Sequence, residues 1–168
     1  MKLLFLDTET TGLTEDDRIC QVAFNIHGED EIRSSLFKPP LPIASDASAV
    51  SHITNSMVAK CKPFRESLFY RDLSVLLEDH VLVAHNARFD IRMLGYDGME
   101  VGKHICTKIV AQKIGGPTKF SMQYLRYLLE LDVDGVAHTA DGDVRVLIAL
   151  FRRLGEEMSV EAMLKLCN

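Results

Sequence analysis

The chain has 168 residues, the length of one ordinary domain, and we predict that residues 1–168 form a single domain. Because 47% of the residues are hydrophobic and 26% are charged, the chain can bury a core, which excludes a disordered protein. Its formal net charge of -5 argues against nucleic-acid binding unless the charges are unevenly distributed.

The sequence contains no segment that is typical of export or of a membrane protein. Its first apolar stretch ends at Asp7 and is too short for a signal peptide, and no run reaches the length of a membrane span. The four cysteines are dispersed and form no CxxC pair. We therefore expect reduced thiols in a cytoplasmic protein that has no membrane partner.

Two carboxylates follow the first apolar run. Leu3-Leu4-Phe5 predicts a buried strand over residues 2–7, and Asp7 and Glu9 come at i and i+2, on the same side of that strand. Adjacent like charges repel unless a positive charge lies between them, and Mg2+ and Mn2+ prefer carboxylate oxygen. The start of the chain therefore predicts half of a metal site.

An antiparallel hairpin and then helices are predicted next. Alternating apolar residues over 18–26 and 31–37, joined by a short polar turn with glycine, favour two paired strands that end at a proline-rich segment. Short helical pieces are expected between residues 46 and 60, and a longer helix over 63–79. The apolar residues at near-helical spacing in that helix are Phe64, Leu68, Val75 and Leu76.

The next segments alternate between strands and helices. Residues 81–84 predict a short buried strand, and a helix is expected over 87–94, with Gly95 ending it. A weaker strand pattern covers 101–105, and Thr107 is a candidate cap for the helix that follows.

Three further helices complete the predicted order. Ser121 and Ser159 are candidate caps of two of them. The strongest helical pattern follows His138, with apolar residues at i, i+3, i+4, i+7 and i+10. Those residues are Val144, Leu147, Ile148, Phe151 and Leu154. Because strands come early and then alternate with helices, we predict an α/β protein with a mixed sheet.

The charges are distributed unevenly along the chain. Residues 101–129 contain no Asp or Glu and carry a local charge of +5, so the remaining residues sum to -10. Lys108 and Lys113 lie away from the apolar face of their predicted helix. A single lysine of this kind usually belongs to a solvated surface, but an acid-free run of this length can also guide a phosphate chain.

Two more acids lie at predicted element boundaries. Asp90 is just inside the helix that follows the strand over 81–84, and Asp143 is in the first turn of the helix that follows His138. Each has an ordinary alternative, because the helix macrodipole favours acids in a first turn, a lone histidine is usually a surface residue, and Asp141 is an alternative cap. These ordinary explanations do not account for the combination, in which the segments of Asp7 and Glu9, of Asp90, and of His138 and Asp143 follow in this order and each lies at an element boundary.

The segments DTETTGL, AHNARFD and HTADGD, read in that order, resemble the DEDD superfamily of 3′→5′ exonucleases. The histidine five residues before the last aspartate is typical of its DEDDh (DnaQ-like) branch, and the exonuclease X type is the nearest match. Residues 51–54 and 105–107 extend the resemblance over nearly the whole chain. Thr139 and Gly142 stand where bulkier residues are common; this departure is expected to matter little, although a glycine at this position can loosen the start of its helix.

The resemblance implies an RNase H-like α/β fold, with a five-stranded mixed sheet flanked by helices. It also implies that four carboxylates hold two Mg2+ or Mn2+ ions about 4 Å apart. Asp7 would be shared by both ions, Glu9 and Asp143 would serve the one nearer the attacking water, and Asp90 the other. His138 would be the general base, a role that suits imidazole near neutral pH.

The activity implied by the resemblance is metal-dependent removal of nucleoside 5′-monophosphates from the 3′ end of a nucleic acid, with DNA favoured. The candidate substrate-contact residues are Thr8, Thr10, Leu13, His85, Asn86, Phe89, Lys108 and Lys113. By similarity Leu13 and Phe89 would flank the terminal base, although either residue could instead belong to the core. His85 and Asn86 are expected to shape a loop rather than to perform chemistry.

Two alternatives stay open at this point. An exoribonuclease or oligoribonuclease would have the same sheet and acids and would differ only in contacts to the 2′-hydroxyl. A polymerase-associated proofreading-type subunit, catalytic or not, belongs to a different functional class. All four acids and the histidine are present, which argues against a non-catalytic protein, and no feature indicates an oligomer or a polymerase partner.

Overall fold

The computed structural model describes residues 1–168, which form a five-stranded mixed sheet covered by helices on both faces. The sheet order is β3-β2-β1-β4-β5, with β2 antiparallel to β1 and β3, and β4 parallel to β1 and β5. The five-stranded mixed sheet predicted from the sequence is therefore confirmed. The strands are β1 (Leu3–Thr10), β2 (Ile19–Ile26), β3 (Arg33–Leu36), β4 (Val81–Ala84) and β5 (His104–Cys106).

Eight α-helices and one 3₁₀ turn, Phe64–Glu66, connect and follow the strands. The helices are α1 (Ser45–Ser51), α2 (Asn55–Val58), α3 (Leu68–Asp79), α4 (Arg88–Tyr96), α5 (Thr107–Ile114), α6 (Met122–Leu128), α7 (Ala140–Gly155) and α8 (Val160–Cys167). None of these helices combines the length and the apolar character needed to cross a membrane. All four cysteines are free thiols.

The core has two parts because successive residues of β1 face opposite sides of the sheet. Leu3 and Phe5 belong to the cluster that packs against α7, where the Phe5 and Phe151 rings meet edge to face at 5.2 Å. Leu4 and Leu6 belong to the second cluster, which packs against α3 and α4. The pairing of β1 with β2 and β4 fixes its register, and the alternation of side chains then fixes which side each acid of that strand takes.

The parallel strands bring the functional segments to one edge of the sheet. The strands β1, β4 and β5 run in the same direction, so the end of β1, the start of α4 and the start of α5 meet there. The antiparallel β2 begins at that edge, where a register shift between Glu9 and Thr10 disturbs its pairing with β1. Irregularities of this kind re-aim side chains locally.

The strand β1 is longer than predicted. It continues to Thr10, so Glu9 as well as Asp7 lies within the strand, and the two acids stand opposite Gln21 and Ala23 respectively. The two acids still share one side of the strand. The weak strand prediction over 101–105 also needs adjustment, since β5 covers His104–Cys106.

The helix predicted over 63–79 was wrong in its start and in its buried face. Ser67 has an extended backbone, separates the 3₁₀ turn from α3, and caps α3 by accepting a hydrogen bond from the Tyr70 amide. Leu68 and Val75 are 71% and 65% exposed, whereas the buried residues are Leu73 and Leu77. The break moves Phe64 off the helix, so the predicted stripe does not exist.

Three helix boundaries differ in detail. The helix α4 continues through Gly95 to Tyr96. Thr107 is the first residue of α5 rather than its cap, and its hydroxyl contacts the Ala84 carbonyl at 3.4 Å. Thr139, rather than Asp141, caps α7 by accepting a hydrogen bond from the Gly142 amide.

Candidate active site

Three carboxylates meet at the functional edge of the sheet. Asp7 and Glu9 project from β1, and Asp143 projects from the first turn of α7. Ligand oxygens of all three lie within 4.8 Å of one another. The helix α7 packs directly across β1 and β2 through its apolar stripe, which is why residues 134 positions apart in sequence converge.

Asp90 lies beside this cluster in the first turn of α4 and is only 3% exposed. Its Oδ1 accepts a hydrogen bond of 2.8 Å from the Thr8 hydroxyl. Its charge is near enough to raise the pKa of both Asp7 and Glu9. The structure thus brings all four predicted acids together, and it gives Thr8 a buried carboxylate partner that the sequence did not predict.

Asp143 is held through both of its oxygens. Oδ1 accepts a hydrogen bond of 2.7 Å from the Gln123 side-chain amide, and Oδ2 accepts one of 3.0 Å from the His138 backbone amide. The Gln123 Oε1 atom is buried and has no partner. Sequence reasoning missed Gln123, for which the only signal was a polar residue between Met122 and Tyr124.

The cluster carries more negative charge than its surroundings neutralise. Burial, and then the charges of Asp143 and Asp90, raise the pKa of Glu9 to about 8. Burial, and then Asp90 and Asp143, hold the pKa of Asp7 well above its usual value. Burial raises the pKa of Asp90 to about 7, although the Thr8 hydrogen bond opposes the rise, and it also raises the pKa of Asp143.

This donor set fits hard divalent cations. Mg2+ and Mn2+ are bound in proteins mainly by carboxylate oxygens, and a bound dication stabilises the ionised form of its ligands. Burial and mutual repulsion disfavour ionisation of these acids in the protein alone, so the chain leaves a positive charge to be supplied from outside. The four acids are therefore the residues that could hold metal.

His138 lies at the entrance to α7, on the surface next to this cluster. Its backbone has a positive φ of 62°, a conformation that histidine adopts more readily than most residues. The amide hydrogen bond to Asp143 fixes its position, while its imidazole makes no hydrogen bond or ion pair within the protein. Both ring nitrogens are therefore free for a contact with a molecule from outside the protein.

Gly142 tightens the start of α7 rather than loosening it, contrary to the expectation from the sequence. A Cβ atom at this position would overlap the Val136 carbonyl oxygen and lie 2.6 Å from Thr139 Oγ1. The loop over residues 133–136 thus crosses directly over the first turn of α7. Arg126 also holds this loop, because its guanidinium donates to the carbonyls of Val133 and Gly135.

His85 and Asn86 shape the loop between β4 and α4. His85 Nδ1 is 2.9 Å from Thr107 Oγ1 and His85 Nε2 is 2.8 Å from the Phe120 carbonyl oxygen. Burial lowers the pKa of His85 to about 4, so its ring is neutral and both nitrogens serve structure. Asn86 is exposed at a positive φ of 66°, and its carbonyl accepts the Phe89 amide as the chain turns into α4.

A cavity of about 510 Å³ adjoins Glu9 and is lined by Thr10, Leu13 and the side of α1. Leu13 is 77% exposed, which excludes the alternative that it belongs to the core. Thr10 is buried, and its hydroxyl donates to the Gly12 carbonyl, so it stabilises the loop that carries Leu13. The cavity therefore offers an apolar wall beside the acids.

Phe89 takes an intermediate position, since it is half-buried and packs against the core cluster of β1 and α4. The Arg92 guanidinium lies 5.4 Å from its ring centre and donates to the Leu13 carbonyl at 3.3 Å. Arg92 thus links Phe89 to the loop of Leu13.

The predicted basic stretch divides in the structure. Lys108 is half-buried in the first turn of α5, and its charge contributes to the low pKa of His85. Lys113 is exposed in the last turn of α5, about 7.5 Å further along the helix axis. Arg126 is committed to the carbonyls of the 133–136 loop, so these basic residues do not form one uniform surface.

Comparison with known proteins gives consistent results. Residues 4–151 match the RNase T-type family model whose description is "Exonuclease". The epsilon subunit of DNA polymerase III from Treponema pallidum (strain Nichols) is 35% identical over 158 residues, which cover 86% of this chain and 72% of that subunit. Exodeoxyribonuclease 10 of Escherichia coli (strain K12) is 33% identical over 134 residues, which cover 78% of this chain but 56% of that enzyme.

A solved structure agrees with these relatives. Exonuclease X in complex with 5′ overhanging duplex DNA superposes with a TM-score of 0.83 at 28% identity and covers 99% of each chain. The RNase H-like arrangement expected from the sequence is therefore confirmed for the whole of residues 1–168.

Proposed function

This chain belongs to the exonuclease family, and we propose that it is a metal-dependent 3′→5′ exodeoxyribonuclease, with residues 1–168 forming one exonuclease domain. It is a hydrolase of the DnaQ-like, DEDD type that acts on nucleic acid. The observation that carries the finer proposal is the convergence of Asp7, Glu9 and Asp143 within 4.8 Å, with Asp90 beside them.

The four acids are proposed to hold two Mg2+ or Mn2+ ions. Bound dications would supply the positive charge that lets a phosphodiester approach these carboxylates, and would activate the attacking water. The protein's own contribution is to fix the ligands. Thr8 holds Asp90, while Gln123 and the His138 amide hold Asp143, so that the carboxylates need little reorganisation.

His138 is proposed to be the general base. Its imidazole is exposed and has no partner in the protein, and its backbone amide is hydrogen-bonded to Asp143, a proposed metal ligand. The imidazole can therefore take a proton from the water that attacks the phosphorus. The leaving group would be the 3′-oxygen of the penultimate nucleotide, and the product a nucleoside 5′-monophosphate.

The 510 Å³ cavity beside Glu9 is proposed to hold the terminal nucleotide. Leu13 supplies an exposed apolar contact for the base, of a kind that tolerates any sequence. Phe89 would flank the base on the side opposite Leu13, and Arg92 holds the two residues in place by contacting the Phe89 ring and the Leu13 carbonyl. Thr10 would act through the shape of that loop rather than through direct contact.

The choice of DNA rests on relatives. One relative is named an exodeoxyribonuclease, and exonuclease X was solved with duplex DNA. An RNA substrate would use the same acids and would require contacts to the 2′-hydroxyl. RNA is therefore a necessary comparison substrate.

Digestion of 5′-labelled strands tests the proposal. Matched single-stranded DNA, duplex DNA and RNA are incubated with Mg2+ and resolved by length. We expect a ladder that shortens from the 3′ end, preferentially on DNA, and that disappears with EDTA or in Asp143→Asn.

The matched control is Asp141→Asn, which changes the same functional group in the same turn of α7 but outside the cluster. This control should keep full activity. Intact strands under all metal and pH conditions would refute the enzymatic proposal, and a preference for RNA would refute the assignment to DNA.

A further inference from the structure

A cavity larger than the one beside Glu9 contains none of the four clustered acids. It has a volume of about 750 Å³ and lies between the start of β2, the 38–40 segment, the 59–66 segment and the end of α4. Its lining is rich in cations and contains two acids, Glu66 and Asp97. The basic residues of this cavity are Arg18, Lys38, Lys60, Lys62 and Arg65.

These five cations have no ion-pair partner in the protein. Only three basic residues of the chain, Lys2, Arg33 and Arg153, form ion pairs, so what sets these five apart is that they line one cavity together. None of the five has a carboxylate oxygen within 4.0 Å, so their positive charge is left for a ligand from outside. Although the chain has a net charge of -5, the electrostatic potential in this cavity is therefore positive.

The basic cavity opens at the edge of the sheet that carries the acids. The Arg18 amide donates to Thr11 Oγ1 at 3.0 Å, and the Arg18 carbonyl accepts the Thr11 amide at 2.9 Å. The loop over residues 11–18 is therefore a common wall, with the cavity of Glu9 and Leu13 on one side and the basic cavity on the other. A polymer that enters one cavity is well placed to reach the other.

The cavity combines an arginine held by several contacts with three exposed lysines. The Arg18 guanidinium donates to the carbonyls of Glu15 and Asp17 and lies 5.0 Å from the Tyr96 ring centre. A hydrogen bond of 3.1 Å from the Lys38 amide to the Lys62 carbonyl joins the two lysine-bearing segments side by side. Several lysines near one another, each with its ammonium exposed, suit a chain of phosphates better than a single compact anion.

We propose that this basic cavity binds backbone phosphates of the nucleic acid beyond the nucleotide that is removed. The inference rests on the proposed function for its substrate class, since it takes the ligand to be the polymer whose 3′ end lies at the acids. The phosphates can come from the strand being shortened or from the strand opposite, and the chemistry of recognition is the same for both.

The experiment compares two double variants that remove the same charge. Lys60→Ala/Lys62→Ala changes the cavity, and Arg152→Ala/Lys165→Ala changes exposed basic residues in the last turns of α7 and α8. Fluorescence anisotropy with a labelled 5′-overhanging duplex, in EDTA, measures affinity without turnover. We expect about a tenfold loss for the cavity variant and a salt dependence reduced by about 2 in slope, at about 0.9 for each phosphate contact.

Matched single-stranded DNA separates the two sources. A loss that is confined to the duplex assigns the cavity to the opposite strand, and an equal loss on both substrates assigns it to the strand being shortened. Equal affinity and salt slope of the two double variants would overturn the proposal. Because binding is measured without metal, this outcome is distinguishable from failure of the 3′→5′ activity, which the digestion ladder measures separately.

Discussion

The acid cluster and the basic cavity share one edge of the sheet, and each leaves its own charge uncompensated by the protein. They differ in how firmly the charged groups are held. The acids are carried on β1, α4 and α7 and are fixed by hydrogen bonds from Thr8, Gln123 and the His138 amide. The lysines of the cavity lie on irregular segments, and their ammonium groups are exposed.

The two regions depend on different properties, the acids on the placement of their oxygens and the lysines on their summed charge. Ligands of a metal ion have to be placed to within a fraction of an ångström, so a lost contact has a steep effect. Attraction of a phosphate chain depends on the summed field, so each lysine has a graded effect. Substitutions in the two regions should therefore differ in size and in the quantity that they change.

The largest effect is expected at His138, the proposed general base beside the acids. His138→Asn should lower kcat by about 10²–10⁴-fold, because general-base catalysis contributes that much, while Mn2+ affinity measured by calorimetry stays near the wild-type value. Asparagine tolerates the left-handed backbone of residue 138, so the variant avoids backbone strain.

His52→Asn is the matched control, since His52 is also exposed and has a positive φ of 59°. Its activity should be unchanged. Loss of Mn2+ binding in His138→Asn would contradict the role of His138 as base and would place it among the groups that organise the metal site.

A smaller effect is expected where a hydroxyl positions an acid. Thr8→Val keeps the shape of the side chain but removes the hydrogen bond to Asp90. The metal concentration needed for half-maximal activity should rise about 10–100-fold, the usual cost of losing a group that orients a metal ligand. Thr8→Ser keeps the hydroxyl and should restore most of the affinity; if it behaves like Thr8→Val, packing rather than the hydrogen bond is responsible.

Graded effects are expected from the basic side of the site. Lys108→Ala should raise KM for DNA and flatten its salt dependence by about 0.7–0.9 in slope, and Lys113→Ala should do less because it lies a helical turn or more further away. Steady-state kinetics at several salt concentrations measure both. An unchanged KM in both variants would show that these lysines belong to a solvated surface and do not contact the substrate.

The smallest effect concerns stability without metal. The pKa of Glu9 is raised to about 8, so the folded chain binds more protons than the unfolded chain, and the free energy of unfolding should fall as pH rises from 6.5 to 8. Below pH 6.5 the low pKa of His85 acts in the opposite direction, which makes 6.5–8 the clean window.

Glu9→Gln removes a carboxylate whose ionised form is disfavoured by burial and by the neighbouring acids. In EDTA at pH 8 its Tm should rise by a few degrees, at about 2–4 °C for each kcal/mol, although its activity is lost. Glu78→Gln, on the exposed face of α3, should leave the Tm unchanged. A fall in the Tm of Glu9→Gln would show that Glu9 stabilises the metal-free fold.

The four acids could be predicted from the sequence because each of their motifs lies at the boundary of a predicted strand or helix. Asp7, Asp90 and Asp143 each stand next to an apolar run whose periodicity is clear, so their common edge follows from the order of strands and helices. The mixed sheet followed from the same patterns.

What the sequence did not reveal depends on contacts through space. Thr8 meets Asp90 across 82 positions, and nothing local to either residue signals the pair. The α3 face was mistaken because Ser67 interrupts the helix, and an extended residue resets the periodicity on which the prediction relied. The basic cavity is assembled from segments around residues 18, 38, 60 and 65, none of which carries a motif.

Gly142 has a consequence for mutational surveys of this chain. The Val136 carbonyl lies where any side chain at 142 would begin, so even alanine would push the 133–136 loop away and separate the proposed base from the acid five residues later. In a saturation scan scored by activity, substitutions of Gly142 should be as harmful as substitutions of the four acids, although glycine has no reactive group. In a scan scored by solubility alone, the same substitutions should be tolerated.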